Sequence, residues 1–590
     1  MHPAPETLAM FADGKLSRQE LAPVVVHLDT CADCRTAIET ANEVAGETKT
    51  RSPWLAIAAA ILLALIAAPT IWFLIRSRTP EARLIALAPK SERIVEPRLS
   101  GGFAYAPYNG PMRAGDPATD SARLKLYGAA GEIIDEAKKS DDAQHAAGLA
   151  LVLIQRPLDG VDRLRAAAER TPADPKLWSD LAAAQYAAAV HLTRPSLFPE
   201  ALASADHALR IDPNLSEALF NRALTLERLG MPRVAREAWE RYLRIDPSSP
   251  WANEARERLA RLRPTTNTQL FKNAQPRLER AEQAEVDAIV NQFREQSRKY
   301  GEGPVLKRWA EAVQRGDEAV AAHQLTIARR IGDALVRASG EAMLHETVQA
   351  IDAADAHTRT RIAAAQLIYT RGRLAYSKFE PTQAEADFRE SAKELAAAND
   401  PMSLLAEYFA AGARLNQNDV RTAREELRAL MAQADAHPQF IALGAQLRWE
   451  LVRCHIFDDD WSGALPIIEK ARSGFERLGE RTSLAVMDTM AADAFCFLGR
   501  FDESWAARIR ALETQSAESD GSDRMLSVVG DTAAIQLRAG ALESARSLFD
   551  IHEAGVRAAA KPIELVDVLT RKALLNTYLN HDGAADDNVR

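Results

Sequence analysis

Cysteine is scarce in this chain: four residues in 590, with aromatic side chains at only 6%. So few thiols cannot build a disulfide framework, and each must be explained by metal binding, reactivity or simple burial. A basic excess is also missing. Lys and Arg total 73 against 82 Asp and Glu, a net charge of −9, which excludes the electrostatic footprint of a nucleic-acid binder. Catalytic signatures are absent too. The sequence has no Walker loop, no serine nucleophile elbow and no second metal-ligand cluster, and its paired acids read as solvated helix faces. His455 follows Cys454 directly, but adjacent helical residues point to different faces, so they form no Cys–His dyad. The expectation is a protein that is not an enzyme.

Two of the four cysteines fall within eight residues, "HLDTCADC" at 27–34. His27, Cys31 and Cys34 are spaced H-x3-C-x2-C. In a continuous helix His27 and Cys31 lie one turn apart on one face, and Cys34 returns from the next turn. Thiolates with imidazole, and no carboxylate cluster, select zinc. A closed zinc site needs four ligands, and His2 is the one His or Cys upstream. His2, His27, Cys31 and Cys34 are therefore the expected metal ligands. The residues between them predict a small helical module. Leu8 and Phe11 have helical spacing before Asp13-Gly14, and Ser17-x-x-Glu20 forms a capping box flanked by Leu16 and Leu21. Val24, Val25 and Leu28 continue an apolar face, and a third helix runs from Arg35 to about Glu47. Some fifty residues bury too little for a large core, so a zinc staple makes physical sense.

The stretch "HPAPETLAMFADGKLSRQELAPVVVHLDTCADCRTAI" resembles the zinc-finger module of anti-sigma factors, over about residues 2–47. That family pairs an H-x3-C-x2-C core with an upstream His or Cys and has an acidic-Gly-x-Leu-Ser turn before its second helix. The resemblance implies a cytoplasmic module, residues 1–50, that binds a sigma factor and keeps it from RNA polymerase.

Next comes "WLAIAAAILLALIAAPTIWFLI" (54–75), 22 residues without a charge. At about 1.5 Å per residue it is long enough for about 30 Å of hydrocarbon. Trp54 and Trp72 stand near its ends. A transmembrane helix is expected over 54–76. Basic residues are balanced on its two sides, so charge does not orient it. Free thiolates favour a cytoplasmic N-terminus. The expectation is a single-pass protein of the bacterial inner membrane with its larger part outside the cytoplasm.

Residues 77–125 read as an extended linker. "RIVEPRLSGGFAYAPYNGPMRAGDP" (93–117) is rich in Gly, Pro and aromatics, and Phe103, Tyr105 and Tyr108 are expected to pack onto the next domain. Beyond it the chain is rich in Ala, Leu, Arg and Glu, and it repeats. Pro213 and Pro247 end units 34 residues apart. Ala182 and Ala223 hold a close-packing position, and Ala201 and Ala235 hold the small position of second helices. "IDPNLSEALFNRALTLERLGMPRVAREAWERYLRIDP" (211–247) resembles a tetratricopeptide repeat, which assigns residues 126–264 to such repeats. A second series places Ala384, Ala423, Ala464, Ser504 and Ala545 at steps of 39, 41, 40 and 41 residues. It assigns 361–590 to a second tetratricopeptide-like array, with an irregular helical region at 265–360 between. The fold class expected is all-α: a small helical zinc module, one transmembrane helix and a tetratricopeptide-like α-solenoid whose units bury their faces against neighbours around a concave groove. Cys454 and Cys496 are one repeat step apart, either as a disulfide across adjacent units or as two small core residues.

The order of "RLSGGFAYAPY", repeats and "LKRWAEAVQRGDEAVAAHQLTIARRIGDALVRASGEAMLHETVQAIDAA" (306–354) resembles the arm that precedes the caspase-like CHAT protease domain of some bacterial proteins, over about residues 90–580. The peptidase itself would follow Arg590, so either the protein lacks it or the chain is a fragment. The function expected is a membrane-anchored regulatory adaptor. Its zinc module takes a sigma factor, and its solenoid groove takes a protein or peptide. The alternative is a scaffold or regulatory arm of a CHAT-type protease system.

Overall fold

The computed structural model describes residues 2–47, 79–110, 117–262, 265–519 and 523–579. Every regular element among them is helical. The chain divides into two units, Met1–Arg83 and Leu84–Arg590.

In the first unit α1 (Pro5–Ala12) starts on a proline, whose missing N–H costs nothing in the first turn. Gly14, at φ +66°, carries the turn that follows. Helix α2 (Arg18–Thr30) opens on the capping box. The Glu20 carboxylate accepts from the Ser17 hydroxyl at 2.6 Å and from the Ser17 backbone N–H at 3.2 Å. These bonds hold Glu20 below the usual carboxylate range. Helix α3 (Ala32–Glu47) follows almost at once. Val24 and Cys34 are the buried side chains of this unit among the described residues. Val25 is 45% exposed, because it is 100° round the helix from Val24 and cannot share its face.

The second unit is built from antiparallel helix hairpins. Helices Gln144–Leu153 and Pro157–Arg170, Pro175–His191 and Leu197–Ile211, and Ser216–Arg228 and Pro232–Ile245 form the first array, closed by Pro250–Arg261. Five hairpins form the second. They are Ala356–Ser377 with Pro381–Ala397, Met402–Leu415 with Val420–Ala436, Ile441–Phe457 with Trp461–Leu478, Arg481–Phe497 with Phe501–Ser519, and Asp523–Arg538 with Leu542–Ala558. Helix Pro562–Tyr578 ends it. Each small residue of the repeat pattern lies at a helix contact: Ala182, Ala201, Ala223, Ala235, Ala384, Ala423, Ala464, Ser504 and Ala545 are all buried. Between the arrays the helices are irregular in length, from Arg294–Tyr300 to Glu318–Ser339, and include a π-helical turn, Gly301–Val305.

Three expectations change. The transmembrane helix, and the single-pass inner-membrane placement built on it, are corrected: no helix among the described residues is long and apolar enough to cross a membrane. The longest, Glu318–Ser339 and Ala356–Ser377, carry Arg, Asp or Glu along their length, and such charges are costly in hydrocarbon. The span read at 54–76 lies outside the described residues. Second, the segment 77–125 is not extended throughout. Helix Pro80–Leu87, anchored by fully buried Leu84, lies at its start, and helix Pro117–Glu136 takes its end. Third, the repeats do not bury their faces against sequence neighbours alone. One apolar core joins residues of the first array to Trp505, Leu512, Val529, Leu548 and Phe549 of the last hairpins. Arg194 and Ser196 bond Asp502, and Arg210 bonds Glu543 at 2.9 Å, across the same seam.

Candidate functional site

Two places in the chain are built for binding, one in each unit. In the first, the helix does not run through the ligand motif. Cys31 leaves helical geometry at φ −118°, ψ 110°, so α2 ends there and α3 begins at Ala32. Arg35 stabilises the break. Its guanidinium donates to the carbonyls of Leu28 at 3.1 Å and Asp29 at 3.0 Å, satisfying orphan acceptors at the end of α2. His27 thus lies in the last turn of α2, Cys31 at the corner and Cys34 in the first turn of α3. The N-terminal segment before α1 brings His2 to them.

The donor atoms of His2, His27, Cys31 and Cys34 all lie within 4.8 Å of one another. His2 Nδ1 is 3.3 Å from His27 Nε2, 3.5 Å from Cys31 Sγ and 3.4 Å from Cys34 Sγ. A tetrahedron around zinc, with bonds of about 2.0 Å to nitrogen and about 2.3 Å to sulfur, has edges of about 3.3–3.8 Å. The donor set and its spacing therefore fit a closed structural zinc site. Burial, and then the neighbouring Cys31 thiol, push the Cys34 thiol up. The structure thus brings together all four residues that the sequence singles out.

The second place is the groove of the first array, and it is occupied by the chain itself. Residues 93–108 lie along the first helices of three successive units. Gly101 and Gly102, at φ +88° and +92°, turn the segment back on itself. Its limbs are tied by one backbone hydrogen bond, from Arg93 N–H to the Pro107 carbonyl at 3.0 Å. The Asn221 side chain reads the backbone: its Oδ1 accepts from Arg98 N–H at 2.8 Å, and its amide donates to the Arg98 carbonyl at 2.9 Å. Fully buried Asp180 accepts from the backbone N–H of Ser100 at 2.8 Å and from its hydroxyl at 2.5 Å, with His145 Nε2 2.7 Å away.

Side chains of the segment are read as well. The Glu96 carboxylate accepts from Tyr186 at 2.6 Å, Arg258 at 2.7 Å and Arg228 at 3.2 Å. Burial works against its charge, but Arg258, Tyr186 and Arg228 outweigh that and hold it below the usual carboxylate range. Arg93 pairs with both oxygens of Glu254, at 2.7 and 2.8 Å, and lies over the Trp251 ring. Arg98 pairs with Asp246 at 2.9 Å. Tyr105 meets Trp251 edge to face, and Phe103 packs on the core. Sequence reasoning placed these aromatics against the next domain but missed Asp180, Tyr186, Asn221, Arg228 and Arg258. Their one local signal is polar residues where a helix turns toward the core. Arg222, next to Asn221, pairs with Asp206 at 2.6 Å.

Neither of the remaining cysteines forms a disulfide. Cys454 is buried and Cys496 half-buried, and burial pushes both thiols up.

No protein-family model matches the chain, and no curated protein matches it. Solved structures similar to it include the following three. Aspartyl phosphate phosphatase F from Bacillus subtilis is 14% identical, with a TM-score of 0.31 over 67% of this chain and 88% of its own. Yeast Tom70 is 14% identical, with a TM-score of 0.24 over 75% and 97%. The TPR domain of P58(IPK) is 14% identical, with a TM-score of 0.20 over 72% and 98%. At such scores the description of this chain rests on its own hairpins.

Proposed function

We propose that this chain is an interaction scaffold. In this reading a helical-repeat solenoid holds extended polypeptide segments in its grooves, and a small zinc-stapled module at the N-terminus acts as a separate docking element. One observation carries the reading. The first array holds residues 93–108 by side-chain bonds to their backbone, from Asn221 and Asp180, together with a charged socket for Glu96. This is peptide recognition, here in cis: backbone bonds supply affinity and side-chain sockets supply selectivity.

For the N-terminal module the reading is anti-sigma-like. His2, His27, Cys31 and Cys34 would hold the zinc, which supplies folding energy and no reaction. Exposed Leu21, Val25 and Val26 on α2 are the apolar side chains such a module would offer a sigma factor. Protein purified without chelator is expected to carry one zinc per chain. Cys31→Ala or Cys34→Ala should lose it, while His2→Ala should bind it more weakly. Metal analysis finding no zinc on the unaltered chain would end the zinc reading. Co-expression with candidate sigma factors and a matching promoter reporter tests the partner, and repression of none of them would leave the module as a generic docking finger. A second reading, a regulatory arm for a CHAT-type protease, is supported by one fact. "RLSGGFAYAPY", which carries that resemblance, is part of the segment built into the groove. Co-purification with such a protease would favour it.

A further inference from the structure

The second array has a groove of its own, and no part of the described chain lies in it. A recess of about 530 Å3 opens where the π-helical turn faces the first helices of three successive hairpins. Its floor is Tyr369 and Arg373 from helix Ala356–Ser377, Leu405 and Phe409 from Met402–Leu415, and Gln446 from Ile441–Phe457. Arg298 lines the opposite wall and is 3% exposed. Two of its nitrogens bond Glu302 and Glu480, each at 2.6 Å, but its Nη2 has no hydrogen-bond partner. An unpaired donor on a buried guanidinium is costly unless something supplies an acceptor. Arg373 makes no ion pair among the described residues. Its guanidinium stacks on Phe409 at 4.1 Å and donates to the Tyr369 hydroxyl at 3.2 Å.

The first array shows what such a socket holds. There a tyrosine and two arginines, Tyr186, Arg228 and Arg258, surround the carboxylate of Glu96 within an extended segment. Here a tyrosine and two arginines, Tyr369, Arg373 and Arg298, surround a space. We propose that this recess is the receptor for an acidic side chain of an extended peptide supplied by another protein, with its carboxylate accepting from Arg298 Nη2 and Arg373. Leu405 and the uncovered edge of Phe409 take an apolar neighbour of the acidic residue. The Gln446 side-chain oxygen, which also lacks a partner, accepts from the peptide backbone. This rests on the reading of the solenoid as a peptide-binding scaffold.

The test uses the full chain and two labelled twelve-residue peptides, alike in their Gly, Ser and Leu but with a central pair of Glu in one and Gln in the other. Fluorescence anisotropy should show the Glu peptide binding tenfold or more tightly than the Gln peptide. Arg373→Gln, at an exposed position, should erase that preference with an unchanged unfolding temperature. Thr370→Glu, which puts a carboxylate into the recess in cis, should weaken the Glu peptide in the same way. Equal binding of both peptides, binding of neither, or a preference that survives Arg373→Gln would overturn the proposal. So would inorganic phosphate binding at millimolar concentration while the Glu peptide does not. Any of these would leave the scaffold reading standing, because that reading is lost only if the segment 93–108 proves not to lie in its groove, for example by remaining open to protease in the folded chain.

Discussion

The two grooves of this molecule use the same chemistry but differ in what fills them. In the first array each charged group that faces the segment 93–108 meets a partner on it: Glu254 with Arg93, Arg228 and Arg258 with Glu96, Asp246 with Arg98. In the second, Arg298 keeps an unpaired nitrogen, and the nearby Glu341 is buried without enough counter-charge. Burial pushes Glu341, which feels Arg298, up to about 7, and outside the recess burial does the same to Asp400 despite its bonds from Met402 and Thr347. A groove completed by its own chain has its electrostatics satisfied on folding, whereas a groove that waits for a ligand keeps polar groups in reserve.

The largest expected effect follows from those buried acids. Asp400 Oδ1 accepts from Met402 N–H and from the Thr347 hydroxyl, each at 3.0 Å, while Oδ2 has no partner to compensate a negative charge. Its folded pKa is raised above its unfolded value, so the folded state alone holds the proton between about pH 4 and 7. Stability present below about pH 4 is therefore lost progressively as pH rises from about 4 to about 7, and levels off above that, with a ceiling of about 3–4 kcal/mol. Glu341 acts in the same direction, facing Glu302 and Arg298. Glu96 acts in the opposite direction: its pKa is lowered, so its contribution is complete above the ordinary carboxylate value and is lost as acid protonates it. Hydrogen exchange should show the second array loosening first as pH rises from about 4 to about 7 and the segment 93–108 loosening first below pH 4. Asp400→Asn should flatten the decline between about pH 4 and 7. A thermal midpoint that does not change between pH 5 and 8 in the unaltered chain would refute the argument.

Next in size is the loss of Asp180. Asp180→Ala strands the backbone N–H and hydroxyl of Ser100 and removes one partner of His145, at a cost of about 3 kcal/mol. The expected result is a segment 93–108 cut rapidly by protease while the second array stays protected. Uniform protection across the chain would mean that the segment is held mainly by its arginines.

How much of this is legible in the sequence depends on range. The repeat positions are legible because each is set by a helix contact a few residues away, and His2, His27, Cys31 and Cys34 are legible as candidates because three of them share one short motif. The bend at Cys31 is not. It depends on Arg35 reaching back to Leu28 and Asp29, a bond that no periodicity announces. The filled groove is also hidden. Glu96 meets Arg258 from 162 residues away, and a lone Asn221 on a helix has no pattern to mark it. The return of the last hairpins to the first array is likewise a long-range apolar match.

Overpacking tests the repeat register in both arrays at about 2 kcal/mol. Ala223 and Ala464 are fully buried, each where two helices approach closely. A leucine at either place must displace a helix, at about 1–3 kcal/mol. Ala223→Leu should also loosen the segment 93–108, because Asn221 is on the same helix, whereas Ala464→Leu should leave that segment protected. Unchanged unfolding temperatures in both variants would show that the small positions are not contact positions.

The smallest effect is expected at the seam between the arrays. The turn at Gly230 has φ +72°, and a Cβ there would come within 2.7 Å of the Glu513 backbone nitrogen, so the two arrays touch through bare backbone. One side-chain bond spans that contact, from the buried Ser516 hydroxyl to the Gly230 carbonyl at 2.9 Å. Ser516→Ala removes the donor and leaves the carbonyl short of a partner, a loss of about 1 kcal/mol. A bond within one array would lower the stability of that array alone. A bond across the seam should lower the cooperativity between the arrays, because the last hairpins bury Trp505, Leu512 and Phe549 in a core that the first array completes. Denaturant unfolding followed separately by the Trp239 and Trp449 signals, each with the other tryptophans replaced, should show the two midpoints move apart in Ser516→Ala. Midpoints that fall together by the same amount would mean that the seam is not a weak point and that the two grooves unfold as one.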